Sequence, residues 1–240
     1  MKEISIQQFN AATPEQFRDI LAGPPEIAAR WLATAAEHGV VDAQAHYAQF
    51  LLDGNGVERR PEEALYWFKL AANADHVMAM NMVGRCYENG WGIKSNMVVA
   101  TYWFKLAATR GLDWGMYNYA TSLALGRGID ANQKKAFMWL TKAAAKGHAK
   151  SWNLLGGFYE DGNTVQADKD IAMDCYRRAA EGGDFRGQFN YGRLLAAQGN
   201  ISDAIHWMQM VPATATPAFM VKMRHFLATA PEPALRQLQV

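Results

Sequence analysis

Apolar residues recur along this chain at helical spacing, and the helical stripes themselves recur every 36 residues. Ala64, Trp67, Phe68, Ala71 and Ala72 fall at i, i+3, i+4, i+7 and i+8, one apolar stripe of an α-helix. The stripe returns as Ala100, Trp103, Phe104, Ala107, Ala108 and again as Ala136, Trp139, Leu140, Ala143, Ala144. Its first alanine steps through Ala28, Ala64, Ala100, Ala136 and Ala172, and its tryptophan through Trp31, Trp67, Trp103 and Trp139 before Cys175 takes that place. Ahead of each stripe runs a phrase that sets a large residue beside a small one: Val83, Gly84, Tyr87, then Tyr119, Ala120, Leu123, then Leu155, Gly156, Tyr159. Between phrase and stripe stand Gly54/Gly56, Gly90/Gly92 and Gly126/Gly128, and Gly162 continues the series. The pattern predicts a repeated helix–loop–helix. Glycine ends the first helix because it tolerates the left-handed cap, and Pro61 sits where a second helix begins. Small alanines let backbones approach, and the large aromatic fills the space between successive pairs.

Self-similarity at such a period marks a solenoid, in which no unit buries its apolar face alone. The expectation is an all-α, right-handed α–α superhelical solenoid of about thirteen helices, one domain across the 240 residues. Residues 1–24 form an N-terminal cap, with Thr13-Pro14-Glu15-Gln16 fitting a capping box that opens a short helix closed by Gly23 and the Pro24-Pro25 pair. A half repeat covers 25–40, full repeats cover 41–76, 77–112, 113–148 and 149–184, and a degenerate one covers 185–210. In the degenerate unit the alanine step shortens to 32, at Ala204. Residues 211–240 form the C-terminal cap and tail, with a helix opened by Thr216-Pro217 and ended before Pro231 and Pro233.

Composition changes this picture little. Half the residues are hydrophobic and 20% charged, which excludes disorder. The net charge of +1 hides asymmetry: residues 1–76 carry 6 Lys+Arg against 11 Asp+Glu, the remainder 18 against 12. That balance favours an acidic partner for the basic part and falls far short of a nucleic-acid footprint. The N-terminus lacks the apolar run of a secretory signal, and no stretch approaches the roughly 18–20 apolar residues of a membrane span, so a cytoplasmic protein is expected. Cys86 and Cys175 lie about two repeats apart, farther than a disulfide reaches, and are expected to be reduced and buried.

Signals for chemistry are sparse. Gly126-x-Gly128-x-x-Ala131 has the loose form of a dinucleotide fingerprint but follows a helix, and the repeat explains both glycines. Gly147-His-Ala-Lys150-Ser151 has the tail of a phosphate loop without its first glycine or its strand. The six histidines have no metal-ligand spacing, His76 and His148 falling in the turns between repeats. Neither cysteine belongs to a nucleophile motif, and no HExxH or GxSxG occurs. No catalytic residue, metal or cofactor is expected.

These residues resemble the Sel1-like repeat family, relatives of the tetratricopeptide repeats, whose pattern reads approximately A-x3-L-G-x2-Y-x2-G-x-G-V, then K-A-x2-W-(Y/F)-x2-A-A-x2-G-H. The match runs through Ala43 to His76, Ala79 to Leu112, Gly115 to His148 and Ser151 to Asp184, about three-quarters of the chain with the flanking units. The resemblance implies a non-enzymatic adaptor that takes a protein or peptide in a concave groove lined by first helices. By analogy with tetratricopeptide grooves, the lining residues are Asn81, Arg85 and Glu88, then Trp114, Tyr117 and Thr121, then Lys150, Asn153 and Glu160, then Arg186, Phe189 and Arg193. Asparagine can pair with peptide backbone, the cations can hold an acidic side chain or a free C-terminal carboxylate, and Trp114, Tyr117 and Phe189 can supply anchors. MNMVGRCYENGWG and RGLDWGMYN also resemble a bacterial Sel1-repeat subgroup associated with iron-regulated dioxygenase loci. Two other functions stay open. One is a hydrolase of the β-lactam-binding type suggested for cysteine-rich members, whose regular cysteine pairs are absent here. The other is RNA binding on a helical-repeat surface, against which the near-neutral charge weighs.

Overall fold

The computed structural model describes residue 4 and residues 6–238. Among the described residues there are helices and no strands, and the chain divides into two compact units, Met1–Ala131 and Asn132–Val240. The first unit holds α1 (Ile6–Ala11), α2 (Pro14–Ala22), α3 (Pro25–Glu37), α4 (Val41–Asp53), α5 (Pro61–Asn73), α6 (Val77–Asn89), α7 (Met97–Thr109) and α8 (Asp113–Leu125). The second holds α9 (Gln133–Ala145), α10 (Ala149–Asp161), α11 (Lys169–Glu181), α12 (Phe185–Ala197) and α13 (Ile201–Met210), a 3-10 turn at Val211–Ala213, α14 (Pro217–Thr229) and α15 (Pro233–Arg236). The fifteen α-helices among the described residues exceed the thirteen expected because α1 and α15, each too short to carry a full apolar stripe, add to the two ends. The division falls in the loop of the repeat at 113–148, between α8 and α9.

The repeat is written into helix ends. The first helices α4, α6, α8 and α10 stop on Gly54, Gly90, Gly126 and Gly162, all at left-handed φ between +67° and +74°. The second helices α7, α9 and α11 open on side-chain caps: Asn96 accepts from the Val98 and Val99 amides, Asn132 from Lys135, and Asp168 from Asp170 and Ile171. The histidines between repeats have the same task. The Nδ1 atoms of His76 and His148 accept the Ala79 and Ser151 amides at the starts of α6 and α10, and Asp184 does so for α12. Thr13 and Gln16 make the expected capping box, and Thr216 caps α14.

Packing assigns the two aromatics of each stripe different depths. Phe68 and Phe104 are fully buried, whereas Trp67 and Trp103 are half-buried against the core. The residue after the tryptophan therefore fills the space between helices, and the tryptophan covers its edge. Trp67 meets Tyr47 edge-to-face at 6.0 Å. The second loop glycine has a steric duty. A Cβ on Gly92, at φ +67°, would stand 2.3 Å from the Pro61 carbonyl oxygen, and Gly56 and Gly128 face Pro25 and Met97 in the same way. The loop of each of these repeats thus rests on the start of the preceding second helix. In the fourth repeat Thr164 takes this place, and its φ is not positive.

Candidate functional site

The first helices carry the predicted lining residues, and the structure divides them into three groups. Asn81 and Asn153 are buried, at 3% and 7% exposure, and face the next repeat. Asn118 Nδ2 donates to Asn81 Oδ1 at 2.8 Å, and Asn190 Nδ2 donates to Asn153 Oδ1 at 2.9 Å. Each pair spans 37 residues and bridges two successive first helices. Phe189 occupies the same place in its repeat and is also buried, its ring 5.2 Å from Phe226 and 5.4 Å from Phe219. Instead of forming an open anchor, Phe189 closes the last seam against α14. At this position the two asparagines are covered by the neighbouring first helix and Phe189 joins the core under α14, whereas Tyr117 stays half-buried.

The second group is tied up in polar contacts. Arg193 Nη2 donates to both oxygens of Glu160, at 2.7 and 2.8 Å, and the Tyr176 hydroxyl donates to Glu160 Oε2 at 2.8 Å. Burial alone would raise the Glu160 carboxyl, but these two donors and the guanidinium charge hold it below the usual range. Burial and the facing carboxylate push Tyr176 upward. Lys150 is half-buried, and its charge acts on Asp184, whose buried carboxyl is nonetheless raised by desolvation. Arg186 is exposed and lies over Phe185, 4.4 Å from the ring centre. These three cations do not form a free array of donors.

The third group, in the first unit, is open. Trp114 is 40% exposed and meets the half-buried Tyr117 edge-to-face at 6.3 Å. Met78, one repeat earlier at the position of Trp114, is 44% exposed, and Leu125 at the end of α8 is 57% exposed. Arg85 is exposed, and its guanidinium lies 5.0 Å from the Trp91 ring centre. Both side chains line a pocket of about 360 Å³ with Gln49, Leu52, Asp53, Arg59 and Met82. Arg59 is aimed there by its Nε, which donates to the Leu52 carbonyl at 2.9 Å. Among the other first-helix positions of the analogy, Glu88 and Thr121 are half-buried, and the Thr121 hydroxyl donates to the Tyr117 carbonyl. Arg59, Trp91, Gln49 and Asp53 are absent from the sequence-derived lining. The available signal was Trp91 itself, an indole set between two loop glycines where Asn55 and Arg127 stand in neighbouring repeats.

Cys86 and Cys175 are unbridged and buried, and desolvation pushes both thiols up to about 11, so the nucleophilic thiolate is scarce at neutral pH. Among the described residues no three His, Cys, Asp or Glu side chains gather as a metal site, and no helix is long and apolar enough to cross a membrane.

Solved structures of several proteins share the fold. A Sel1 repeat protein from Oxalobacter formigenes superposes with a TM-score of 0.79 at 22% identity, covering 93% of this chain and 96% of its own. The protective antigen c5321 of uropathogenic Escherichia coli, with the same fold, gives 0.74 at 25% identity over 92% of this chain and 50% of its own. The immunity protein Pa5087 of Pseudomonas aeruginosa gives 0.56 at 18% identity, over 82% of this chain and 80% of its own. No curated protein sequence matches the chain. The Sel1 repeat family model matches residues 24–40, 41–76, 77–112, 115–148 and 153–184, in register with the helix pairs and loop glycines described above. The chain therefore belongs to the Sel1 repeat family, whose repeats commonly mediate interactions between proteins.

Proposed function

We propose that this protein is a non-enzymatic adaptor that holds a segment of a partner protein on the first-helix face of its first unit. The observation that carries the reading is Trp114, a large ring left open to water on a helix whose other apolar residues are largely buried. Exposed aromatics with a supporting neighbour are the usual anchors of protein interfaces. Trp114 rests on Tyr117, and Met78 extends the apolar surface to the preceding first helix. The pocket beside Trp91 adds specificity. Arg59 and Arg85 offer guanidinium donors to a carboxylate of the partner, either an acidic side chain or a chain end, while Gln49, whose amide nitrogen donates to Asp53 Oδ2 at 2.7 Å, offers its amide oxygen to a peptide N–H.

The test is affinity purification from the native host with mass spectrometry, comparing the wild type with Trp114→Ala and Arg85→Glu variants of unchanged helicity and melting. A protein recovered by the wild type and lost by both variants supports the reading. A partner retained equally by both overturns it. Interface anchors of this kind cost about 2 kcal/mol or more on truncation, roughly thirtyfold in affinity.

A further inference from the structure

We infer that the solvent face of α9 is a second docking surface, built for a short acidic segment of a partner protein and separate from the first-helix face. From Ala131 to Tyr159 the sequence holds five lysines and no acidic residue. Four of them, Lys134, Lys135, Lys142 and Lys146, are exposed along α9 and its C-cap, and none belongs to an ion pair among the described residues. The next second helix is handled differently. On α11, Asp174 bridges Arg177 and Arg178, and Arg177 also bonds Glu181, so its charges cancel within the helix.

Placement sharpens the contrast. Lys134 and Lys135 stand in the first turn of α9, where the positive end of the helix dipole disfavours cations. The equivalent positions carry Glu62 and Glu63 on α5 and Asp170 and Ile171 on α11. The lysines thus work against the stability of their own helix, a local conflict of the kind that function maintains.

The geometry of the face points to carboxylates on a protein. Lys135, Lys142 and Lys146 follow one edge of the helix over about 16 Å, the length of roughly five extended residues. Met138, 45% exposed, interrupts the cations with an apolar contact, which suits an acidic segment carrying a hydrophobic residue. Nucleic acid fits less well. Phe137 and Trp139 are half-buried, Lys142 covers the Trp139 ring at 4.6 Å, and no aromatic on α9 is left exposed for a base to stack on. In the next repeat acidic residues return at Glu160, Asp161, Asp168 and Asp170, so the run of lysines without an intervening carboxylate ends there.

The full chain is titrated against a fluorescein-labelled peptide, Glu-Glu-Leu-Glu-Glu-Leu-Glu-Glu, by fluorescence anisotropy. Saturable binding that weakens at least tenfold in Lys135→Glu/Lys142→Glu, but not in the charge-matched Lys94→Glu/Lys105→Glu, is expected, with affinity falling as salt shortens the reach of the charges. Lys134→Glu/Lys135→Glu is expected to weaken binding while raising Tm, which separates docking from damage to the fold. The inference is overturned by no saturable binding at low salt, by equal loss in the two charge-matched variants, or by a uridine oligonucleotide of similar charge binding more tightly than the peptide. The variants leave Trp114 and Arg85 intact, so this result and the partner capture of the first-helix face stand or fall separately.

Discussion

Gly92→Ala probes how the loops hold the solenoid together. In the first unit the substitution meets two separate costs. At φ +67° an alanine backbone is disfavoured by about 1–2 kcal/mol. The new Cβ would also lie 2.3 Å from the Pro61 carbonyl oxygen, 2.5 Å from its carbon and 2.6 Å from the Glu62 nitrogen. All three are backbone atoms at the start of α5, so no rotamer change relieves the clash, and overpacking of this kind costs about 1–3 kcal/mol. Gly111→Ala is the matched control: its φ is +91°, and a Cβ there meets nothing within 4 Å. Reduced chain entropy in the unfolded state is common to both variants and cancels. Urea unfolding followed by far-UV circular dichroism is therefore expected to show Gly92→Ala less stable than Gly111→Ala by about 1–3 kcal/mol. Hydrogen exchange is expected to place the extra loss in α5 and the loop 90–96. If the two variants unfold at the same urea concentration, the contact between loop and preceding helix is not rigid, and the steric account of the second glycine is refuted.

Gly156→Ala is expected to cost about 1–3 kcal/mol, because a Cβ would approach the Tyr176 ring to 2.5 Å, and Tyr176→Leu in the same chain is expected to recover part of that loss in thermal melts. The Glu160–Arg193 pair is expected to leave a pH signature. Its carboxyl is depressed in the folded state, so its contribution is present above the unfolded value near ~4.3 and is lost as pH falls through the lower folded value. Arg193→Gln is thus expected to be less stable than wild type at neutral pH by about 0.5–1 kcal/mol, a figure reduced because both partners are 30% exposed, with the gap closing below about pH 4. A gap that stays constant with pH would show that Arg193 acts by packing alone.

The fold was legible because it is periodic. One 36-residue step carries the apolar stripe, the loop glycines and the start of each second helix, so each repeat corroborates the others. Position within the repeat already distinguished cap from core at Gly90 and at Ala71, both of which sit in the structure as the pattern implies. The site was legible only in part. Asn81 and Arg85 are one helical turn apart on the same face, and periodicity cannot tell them apart. The short amide of Asn81 is overlaid by Asn118 from the next repeat, whereas the long arm of Arg85 reaches past the seam to Trp91. Phe189 looked like an open aromatic because α14, which covers it, lies outside the regular repeat.

Sequence alone therefore determined what depends on local chemistry and repetition: the helices of the repeats, the caps at Thr13 and Thr216, the left-handed glycines and the family. Tertiary structure decided what depends on neighbours distant in the chain. It paired the asparagines across 37 residues, joined Arg193 to Glu160, buried Phe189 and brought Arg59 beside Trp91. The reason is physical. A helical stripe records which residues avoid water, but whether a polar residue at its edge ends in a seam or in a pocket depends on its reach and on what the next helix places opposite it.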